Sequence, residues 1–443
     1  MQLNINIYTI GSFLKFEWGR GLHSSLSKSA TVHPLLTLLL RYRNFALQSS
    51  ALLRFKNTFS IEESSSFSKT NSWKEGSDCC TWDGVTCDRF TGHVIGLDLS
   101  SSGLTGPIND NSSLFHLHHL QKLNLAYNIF DPSTISPKFG QFTKLTHLNL
   151  SVSSFYGLVP TEIFHLSKLV LLDLSYSRSL ELRQHGFKKL LQNMTELRYL
   201  HLDSVNMSSV AVGSFANLPS SLISLSLQSN YMQGKLPDTI SNLMHLNDLR
   251  LSGCKFEGSI PPSLENLTEI TFLDLSFNGF TSQIPTSISK LDQLTHLNLG
   301  DNKFSGSLPS SLENLTEITS LELSFNGFTG QIPTSISKLG QLTHLDLGDN
   351  KFSGSFPLSL ENLTEITSLD LSSNGFTGQI PTSISKLGQL TYLDLRDNKF
   401  SGSFPLSLEN LTEITSLDLS SNGFTGQIPT SISKLGQLTF LYL

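Results

Sequence analysis

The spacing of leucine residues is the strongest pattern in this chain. From Leu222 onward, apolar positions recur in rows of 24 residues, and each row begins with a Leu-x-x-Leu-x-Leu or Ile-x-x-Leu-x-Leu segment such as Leu342–Leu347. Leucines that alternate with polar residues are typical of a short strand with one buried face. A fixed period of this length predicts a repeat architecture rather than the two or three compact domains that 443 residues would otherwise suggest.

Two further columns line up in these rows. One column is asparagine, with Cys254 in its only gap, and it comprises Asn230, Asn278, Asn302, Asn326, Asn350, Asn374, Asn398 and Asn422. The other is phenylalanine and comprises Phe256, Phe280, Phe304, Phe328, Phe352, Phe376, Phe400 and Phe424. We expect the amides to satisfy backbone groups where the chain leaves each strand, and the rings to stack as a spine. Cys254 is interpreted as a structural substitute for asparagine rather than as a reactive thiol.

A single row is too short to fold alone, because the apolar area it buries does not offset the entropy lost on ordering its backbone. Rows therefore have to stack into a solenoid with a parallel sheet along its concave side. We count about 14 complete rows and a partial fifteenth over residues 91–443, with a small insertion near residues 175–196. Strand cores with a looser period precede Leu222 at Val94–Leu99, Leu120–Leu125, Leu145–Leu150, Leu169–Leu174 and Leu197–Leu202.

Residues 48–90 follow a different pattern. Apolar residues have helical spacing over Ser50–Phe59, and Trp73, the pair Cys79-Cys80, and Trp82 with Gly84-Val-Thr-Cys87 come next. This segment resembles the amino-terminal cap of plant leucine-rich-repeat receptors, and the Gly-x-Ile-Pro rows resemble the plant-specific subclass of that repeat. Within this class, the cap and the recurrent Ser-Leu-Glu-Asn-Leu-Thr-Glu-Ile-Thr segment are most similar to plant receptor-like proteins, over about residues 48–443.

The resemblance implies a leucine-rich-repeat solenoid of the α/β type, wound as a right-handed superhelix. Short parallel strands would line the concave face, irregular and 3-10 segments the back, and a helical cap the amino-terminal end. The implied function is that of an extracellular ectodomain that binds a protein, peptide or glycan ligand in pathogen recognition or development and signals through a partner receptor kinase. Two alternatives remain open: a secreted inhibitor of cell-wall-degrading enzymes, and the truncated ectodomain of a receptor kinase.

The cysteines follow the family only in part. The resemblance implies a Cys80–Cys87 disulfide and a further cysteine ahead of the cap helix that pairs with Cys79. Residues 1–78 contain no cysteine, so we expect Cys79 to be unpaired. Introducing a cysteine ahead of Ala51 is therefore predicted to stabilise the cap.

Residues 1–47 are a poorly defined leader. The segment Pro34–Leu40 is apolar but short, and Arg41 and Arg43 follow it without a clear cleavage site, so either an unusual signal region or an artefact of the gene model explains it. At the other end the chain stops inside a strand at Leu443, and we interpret it as a fragment. The resemblance places the full-length protein at the outer face of the plasma membrane, held there by a missing carboxy-terminal segment, or in the apoplast if the chain is complete.

Charge and motifs exclude several functions. The net charge is −6 although the first 60 residues are basic, and an acidic body disfavours nucleic acid as a partner. No phosphate loop, nucleophile elbow or zinc-protease helix is present, so no enzyme activity and no cofactor are expected. The trio His116, His118 and His119 lacks an accompanying ligand at a familiar spacing, so it is not interpreted as a metal site.

The concave strand positions carry the candidate ligand-binding side chains, because exposed aromatic residues and arginine are favoured at binding hot spots. These candidates are His147, Tyr199, His201, Arg250, Phe272, His296, His344 and Tyr392. A neighbouring acidic lane is open to two interpretations, a surface for a basic peptide or hydroxyl-rich glycan, or merely a solvated strand face. It comprises Asp274, Glu322, Asp346, Asp370, Asp394 and Asp418.

Internal duplication sets the expectation for where a ligand binds. Residues 349–391 are identical to residues 397–439, so this stretch multiplies one surface and is expected to act as a spacer. The more individual residues between about 120 and 275 are the first place to look for a ligand site.

Asparagine sequons indicate glycosylation and a secretory history. We predict glycans at Asn111, Asn193, Asn206, Asn266, Asn314, Asn362 and Asn410. Asn149 also lies in a sequon, but its place in a concave strand predicts lower occupancy.

Overall fold

The predicted solenoid is confirmed by a computed structural model, which describes residues 46–61, 68–177 and 179–443. Fifteen parallel strands, one for each row, form a single concave sheet, and one antiparallel cap strand completes its amino-terminal edge. The described residues hold two α-helices, α1 over residues 46–56 and α2 at Gln184–Asn193.

The strands of the concave sheet, in spatial order, are β2 (Val85–Cys87), β3 (Val94–Asp98), β5 (Lys122–Asn124), β7 (His147–Asn149), β9 (Leu171–Asp173), β11 (Tyr199–His201), β12 (Ser224–Ser226), β14 (Asp248–Arg250), β16 (Phe272–Asp274), β18 (His296–Asn298), β20 (Ser320–Glu322), β22 (His344–Asp346), β24 (Ser368–Asp370), β26 (Tyr392–Asp394), β28 (Ser416–Asp418) and β30 (Phe440–Tyr442). Neighbouring strands pair in register, with Leu345 opposite Leu321 and Leu369. Equivalent side chains of successive repeats therefore form straight rows across the concave face.

A second parallel sheet of nine strands, which the sequence does not predict, follows the turns after the concave strands from β12 to β28. Its members are β13 (Gln233–Lys235), β15 (Lys255–Gly258), β17 (Gly279–Ser282), β19 (Lys303–Gly306), β21 (Gly327–Gly330), β23 (Lys351–Ser355), β25 (Gly375–Gly378), β27 (Lys399–Ser403) and β29 (Gly423–Thr425). The remaining strands form small sheets near the cap, β1 (Ser60–Ile61) with β4 (Leu104–Thr105), and β6 (Ser133–Thr134) with β8 (Phe155–Leu158) and β10 (Leu180–Glu181).

Short 3-10 helices complete the back of the repeats, as predicted. They lie at Ser113–His116, Pro137–Gln141, Thr161–His165, Val212–Asn217, Asp238–Asn242, Pro262–Asn266, Thr286–Lys290, Ser310–Asn314, Thr334–Lys338, Leu358–Asn362, Thr382–Lys386, Leu406–Asn410 and Thr430–Lys434. Two further 3-10 helices, Lys69–Ser72 and Cys79–Thr81, belong to the cap. The insertion near residues 175–196 replaces one of them by α2, whose Phe187 and Leu190 are fully buried.

The asparagine column forms the predicted ladder between repeats. The Nδ2 group of Asn350 donates to the carbonyls of Leu323, Leu347 and Gly348 at 3.0, 3.2 and 3.0 Å. Its Oδ1 atom accepts from the backbone N–H of Phe328 at 3.1 Å. One buried amide thus satisfies four backbone groups in two adjacent repeats, which explains why asparagine recurs there.

Cys254 makes a weaker version of this contact. Its thiol donates to the carbonyl of Leu227 at 3.1 Å, and burial raises its pKa to about 11, which keeps the sulfur protonated. In the preceding repeat, Oδ1 of Asn230 has no hydrogen-bond partner among the described residues. The ladder is therefore incomplete in the centre of the chain.

The phenylalanine column stacks as predicted. Rings from Phe256 to Phe424 follow one another with centroids 6.0 to 6.5 Å apart and interplanar angles of 7 to 15°. Phe256 through Phe400 are fully buried, and such stacked rings contribute stability beyond their buried area.

The cap is held together by aromatic packing and one disulfide. Trp73 and Trp82 stack with centroids 5.3 Å apart, and Cys80 pairs with Cys87. Cys79 is a free and fully buried thiol, and burial raises its pKa although Ser49 beside it acts in the opposite direction. Ser49 therefore occupies the place from which a cysteine would reach Cys79.

Candidate functional site

A continuous series of side-chain contacts on the concave face joins β11, β12, β14, β16 and β18, which are adjacent in the sheet. We call this group the central network, and it comprises His201, Ser224, Asp248, Arg250, Phe272 and His296. Each strand contributes only three residues, and its central leucine is buried, so the flanking positions lie on the concave side. Ser224 of β12 is also buried, beneath its neighbours in the network.

Polar contacts form the first half of the network. The Nε2 atom of His201 lies 2.9 Å from Oγ of Ser224, whose hydroxyl also lies 3.3 Å from Oδ2 of Asp248. Asp248 then accepts a bond of 2.9 Å from Nε of Arg250. Three adjacent strands are thus bridged by side chains that hold one another in place.

Aromatic contacts form the second half. The guanidinium carbon of Arg250 lies 4.1 Å above the ring centroid of Phe272, and the rings of Phe272 and His296 stack at 5.3 Å. Arginine above an aromatic face is favourable, and both groups remain half-exposed. Arg250 is therefore a preorganised cation whose terminal N–H groups donate to no other described residue, and it is flanked by flat apolar surface.

A buried carboxylate supports the network from one side. Oδ1 of Asp203 accepts bonds from Oγ of Ser226 at 2.6 Å and from the backbone N–H of Gln228 at 2.8 Å. Burial raises the pKa of Asp203 despite these bonds. Burial, followed by the charge of Asp203, also raises the pKa of the nearby Tyr176 hydroxyl.

Four of the eight candidate residues therefore come together, and four do not. His201, Arg250, Phe272 and His296 belong to the central network. Tyr199 lies on β11 but makes no side-chain hydrogen bond or ring contact with the described residues.

The other three candidates lie on distant strands. Among the described residues, the ring of His147 bonds to the neighbouring Thr146 alone, at 2.8 Å, and burial lowers its pKa. His344 repeats this local contact with Thr343 at 2.8 Å. The hydroxyl of Tyr392 donates to Asp394 at 3.2 Å.

Sequence reasoning missed the polar residues that join the network. Ser224 and Asp248 occupy the same strand position as the aromatic candidates, and Asp203 follows the strand, so no hot-spot preference marks them. The sequence does contain one sign of these contacts: a serine lies in one concave strand, and an aspartate and an arginine lie in the next, at Ser224, Asp248 and Arg250.

A second concavity lies near the cap. It encloses about 550 Å³ and is lined by β2 to β9, including Asp98, Lys122, Asn124, His147 and Asn149. The side-chain oxygen of Asn149 accepts bonds from the backbone and hydroxyl of Ser151 at 2.9 and 2.7 Å. A glycan on Asn149 would have to occupy this space.

The acidic lane is continuous in the duplicated repeats. Asp346, Asp370, Asp394 and Asp418 face one another across β22 to β28. Burial, reinforced by Asp346 and Asp394, raises the pKa of Asp370 to about 6 although Ser372 donates to it.

The predicted glycosylation sites differ in exposure. Asn266, Asn314, Asn362 and Asn410 are exposed at the ends of equivalent 3-10 helices in alternate repeats. Asn111 and Asn206 are also exposed, whereas Asn193 is half-buried at the end of α2.

The trio of histidines at the back contributes to surface packing. His119 stacks on His93 with centroids 3.7 Å apart and lies 3.0 Å from the ammonium of Lys144. Burial and then the charge of these neighbours lower its pKa.

Across residues 46–61, 68–177 and 179–443, no helix has both the length and the apolar character needed to cross a bilayer.

Comparison with known families matches both parts of the chain. Residues 46–88 match the leucine rich repeat N-terminal domain, residues 225–383 match a leucine-rich repeat region, and residues 365–424 match the leucine rich repeat.

Curated relatives include receptor-like protein Cf-9 of Solanum pimpinellifolium, 40% identical over 46% of this chain and 25% of its own length. Receptor-like protein 6 of Arabidopsis thaliana is 43% identical over 52% of this chain and 26% of its own length. The chain thus spans about a quarter of the length of these relatives.

Solved structures with a similar fold include plant receptors. The peptide hormone receptor RGFR1 in complex with RGF2 has a TM-score of 0.61 at 29% identity, covering 82% of this chain and 67% of its own. The TDR receptor has a TM-score of 0.65 at 32% identity, covering 74% and 56%. The Arabidopsis receptor kinase HAESA in complex with the peptide hormone IDA and the co-receptor SERK1 has a TM-score of 0.54 at 27% identity, covering 89% and 80%.

Proposed function

Since the chain belongs to the plant leucine-rich-repeat receptor-like proteins, we propose that it is a ligand-binding ectodomain whose central network recognises a peptide outside the cell. The observation that carries the proposal is the linked set of side chains from His201 to His296. It presents a fixed cation and flat aromatic surface at the middle of an open concave sheet. Arginine and aromatic residues held in this way are the groups on which binding energy concentrates.

The choice of a peptide rests on chemistry and on the similar structures. Arg250 offers N–H groups to a backbone carbonyl or carboxylate, and Phe272 offers a face for an apolar or cationic side chain. RGFR1 and HAESA, whose folds are similar, are in complex with peptide hormones. An extended peptide lying across the strands would contact the network over five repeats.

We also place this ectodomain at the outer face of the plasma membrane, with a receptor kinase as its signalling partner. The Cys80–Cys87 disulfide and the exposed sequons fit an oxidising secretory route. HAESA, in complex with its co-receptor SERK1, supplies the precedent for a partner kinase.

A displayed library of random peptides with free carboxy termini tests the proposed site. Peptides enriched on the wild-type chain should bind Arg250→Ala and Phe272→Ser at least about tenfold more weakly, which corresponds to the loss of one hot spot. Arg396→Ala is the matched control, because Arg396 also pairs with an aspartate, at 3.5 Å, but lies in the duplicated repeats. Equal binding to all variants would contradict the proposal.

A further inference from the structure

A row of residues at the edge of the concave sheet has a left-handed backbone conformation, which phenylalanine, present twice in the row, rarely adopts. The residue just before each ladder asparagine has a positive φ, for example 52° at Phe277 and at Phe325. Bulky residues are uncommon in this left-handed region, where glycine and asparagine are cheapest. Both rings are nevertheless 60% and 53% exposed to solvent.

The fold itself does not require these rings. Ser373 and Ser421 occupy the same place in later repeats, with φ of 50° and 57° and nearly identical surrounding sequence. Phe277 and Phe325 therefore expose apolar surface and have an unfavourable backbone conformation, although the fold does not need either ring. An observed outlier of this kind points to an external contact.

Carboxylates alternate with the two rings. Asp301 lies between Phe277 and Phe325, and Asp349 follows Phe325 in the next repeat, also with φ of 48°. The carboxylates of Asp301 and Asp349 accept no hydrogen bond from the described residues, so they remain free acceptors. We call Phe277, Asp301, Phe325 and Asp349 the edge row.

The spacing and charge of the edge row define the ligand that fits it. Since neighbouring strands lie about 4.8 Å apart, the two rings stand about 10 Å apart along a straight edge. Burial, followed by the charges of Asp346 and Asp349, raises the pKa of Asp301, so this edge is acidic. An acidic edge repels an acidic polymer, whereas its carboxylates accept hydrogen bonds from the hydroxyls of an uncharged one.

We propose that the edge row binds a linear, uncharged oligosaccharide. Sugar rings present C–H faces that stack on aromatic faces, and their hydroxyls donate to carboxylates. A chain that repeats every two sugars would meet a ring, a carboxylate, a second ring and a second carboxylate in turn. This site lies at the strand ends beyond the central network and involves different side chains, so it is independent of the proposed peptide site.

Isothermal titration with uncharged β-1,4-linked hexasaccharides of glucose, xylose and mannose tests the proposal. At least one of them should bind the wild-type chain. The double variant Phe277→Ser/Phe325→Ser should weaken that binding at least about tenfold, and Asp301→Asn should weaken it less. Serine at both positions reproduces what Ser373 and Ser421 already have, so the fold is expected to persist.

Phe90→Ser is the control, since Phe90 is 85% exposed but lies in the cap. It should leave sugar binding unchanged, and Arg250→Ala should also leave sugar binding unchanged while weakening peptide binding at least about tenfold. Failure of all three hexasaccharides to bind, or equal binding by the double variant, would overturn the proposal. Binding only of an oligogalacturonate or of a basic peptide at these residues would also overturn it.

Discussion

Two stretches of the solenoid share one scaffold and differ in what they display. The central repeats, residues 199–298, carry a different side chain on almost every concave position and join six of them into a network. The duplicated repeats, residues 349–439, display the same aspartate lane twice. Their asparagine ladder is complete, whereas the central ladder is interrupted at Cys254 and leaves Oδ1 of Asn230 unpaired.

This difference shows that the stability of the fold and the recognition of a ligand depend on different positions of the repeat. The leucine column is repeated with little change in both stretches, and the asparagine and phenylalanine columns are complete in the duplicated repeats and partial in the central ones. Together these columns determine the fold. The outward strand positions make few contacts with the core, so they are free to diversify or to be copied. A region that has diversified is the better candidate for ligand contact, and its weaker ladder makes local opening easier there.

The largest expected effect comes from breaking the shared ladder. Asn350→Ala removes the acceptor of the Phe328 N–H and one hydrogen bond at each of three carbonyls that keep a second donor, so we expect a loss of about 3–5 kcal/mol in unfolding free energy. Cys254→Asn should act in the opposite direction and gain about 1 kcal/mol, because it supplies the missing amide. Chemical denaturation measures both changes. A loss below about 1 kcal/mol at Asn350 would show that the ladder does not hold the repeats together.

The next largest effect is expected from a new disulfide in the cap, which covers the amino-terminal end of the solenoid. Ser49→Cys should form a disulfide with Cys79 and raise the unfolding free energy by about 3 kcal/mol through closure of a long loop. Melting temperature and thiol titration measure it. Ser50→Cys, at an exposed position one residue later, is the control and should leave Cys79 free. A titratable Cys79 in Ser49→Cys would show that the two side chains are wrongly placed.

The pH dependence of stability tests the aspartate lane of the duplicated stretch. The pKa of Asp370 is raised to about 6 in the folded chain, above its ordinary value of 3.8, so the folded state binds more protons between these values. The free energy of unfolding therefore falls as pH rises from about 4 to 6, and the deficit persists at higher pH. Asp370→Asn should remove this loss and gain up to about 3 kcal/mol at pH 8, with little change at pH 4.

Denaturation curves at pH 4 and pH 8 measure the effect of Asp370→Asn. Asp397→Asn removes one charge from an exposed position nearby and serves as the control. An unchanged difference between the two pH values in Asp370→Asn would show that Asp370 is not responsible.

Glycosylation is expected to change stability least. We propose glycans on the exposed Asn266, Asn314, Asn362 and Asn410 and lower occupancy at the half-buried Asn149. After secretory expression, intact mass should fall on glycosidase treatment, and peptide mapping should show the order of occupancy. An intact mass that does not change would exclude these glycans.

The sequence predicted most of the fold because the fold is periodic. Each leucine, asparagine and phenylalanine repeats its environment every 24 residues, so one row such as Leu342–Phe352 is enough to assign all the others. The second sheet was not predicted, because its strands are short and contain glycine, as in β21 (Gly327–Gly330). Glycine usually weakens a strand.

The site was predicted only in part, for a different reason. Hot-spot preferences selected Arg250, Phe272 and His296, which lie together, but also His344 and Tyr392, which lie several repeats away. Contacts between rows depend on how side chains lean across the sheet, and spacing along the chain does not contain that information. Ser224 and Asp248 became visible only through their distances to His201 and Arg250.

Removing one duplicated unit tests most directly whether recognition resides in the central repeats. Deletion of residues 349–396 joins Gly348 to Asp397 and keeps the sequence of every row, because residues 349–391 and 397–439 are identical. Titration of a library-selected peptide should then give the same Kd for the deletion variant as for the wild-type chain, while Arg250→Ala weakens it at least about tenfold. A deletion variant that loses binding while Arg250→Ala retains it would place recognition in the duplicated repeats and contradict the proposed site.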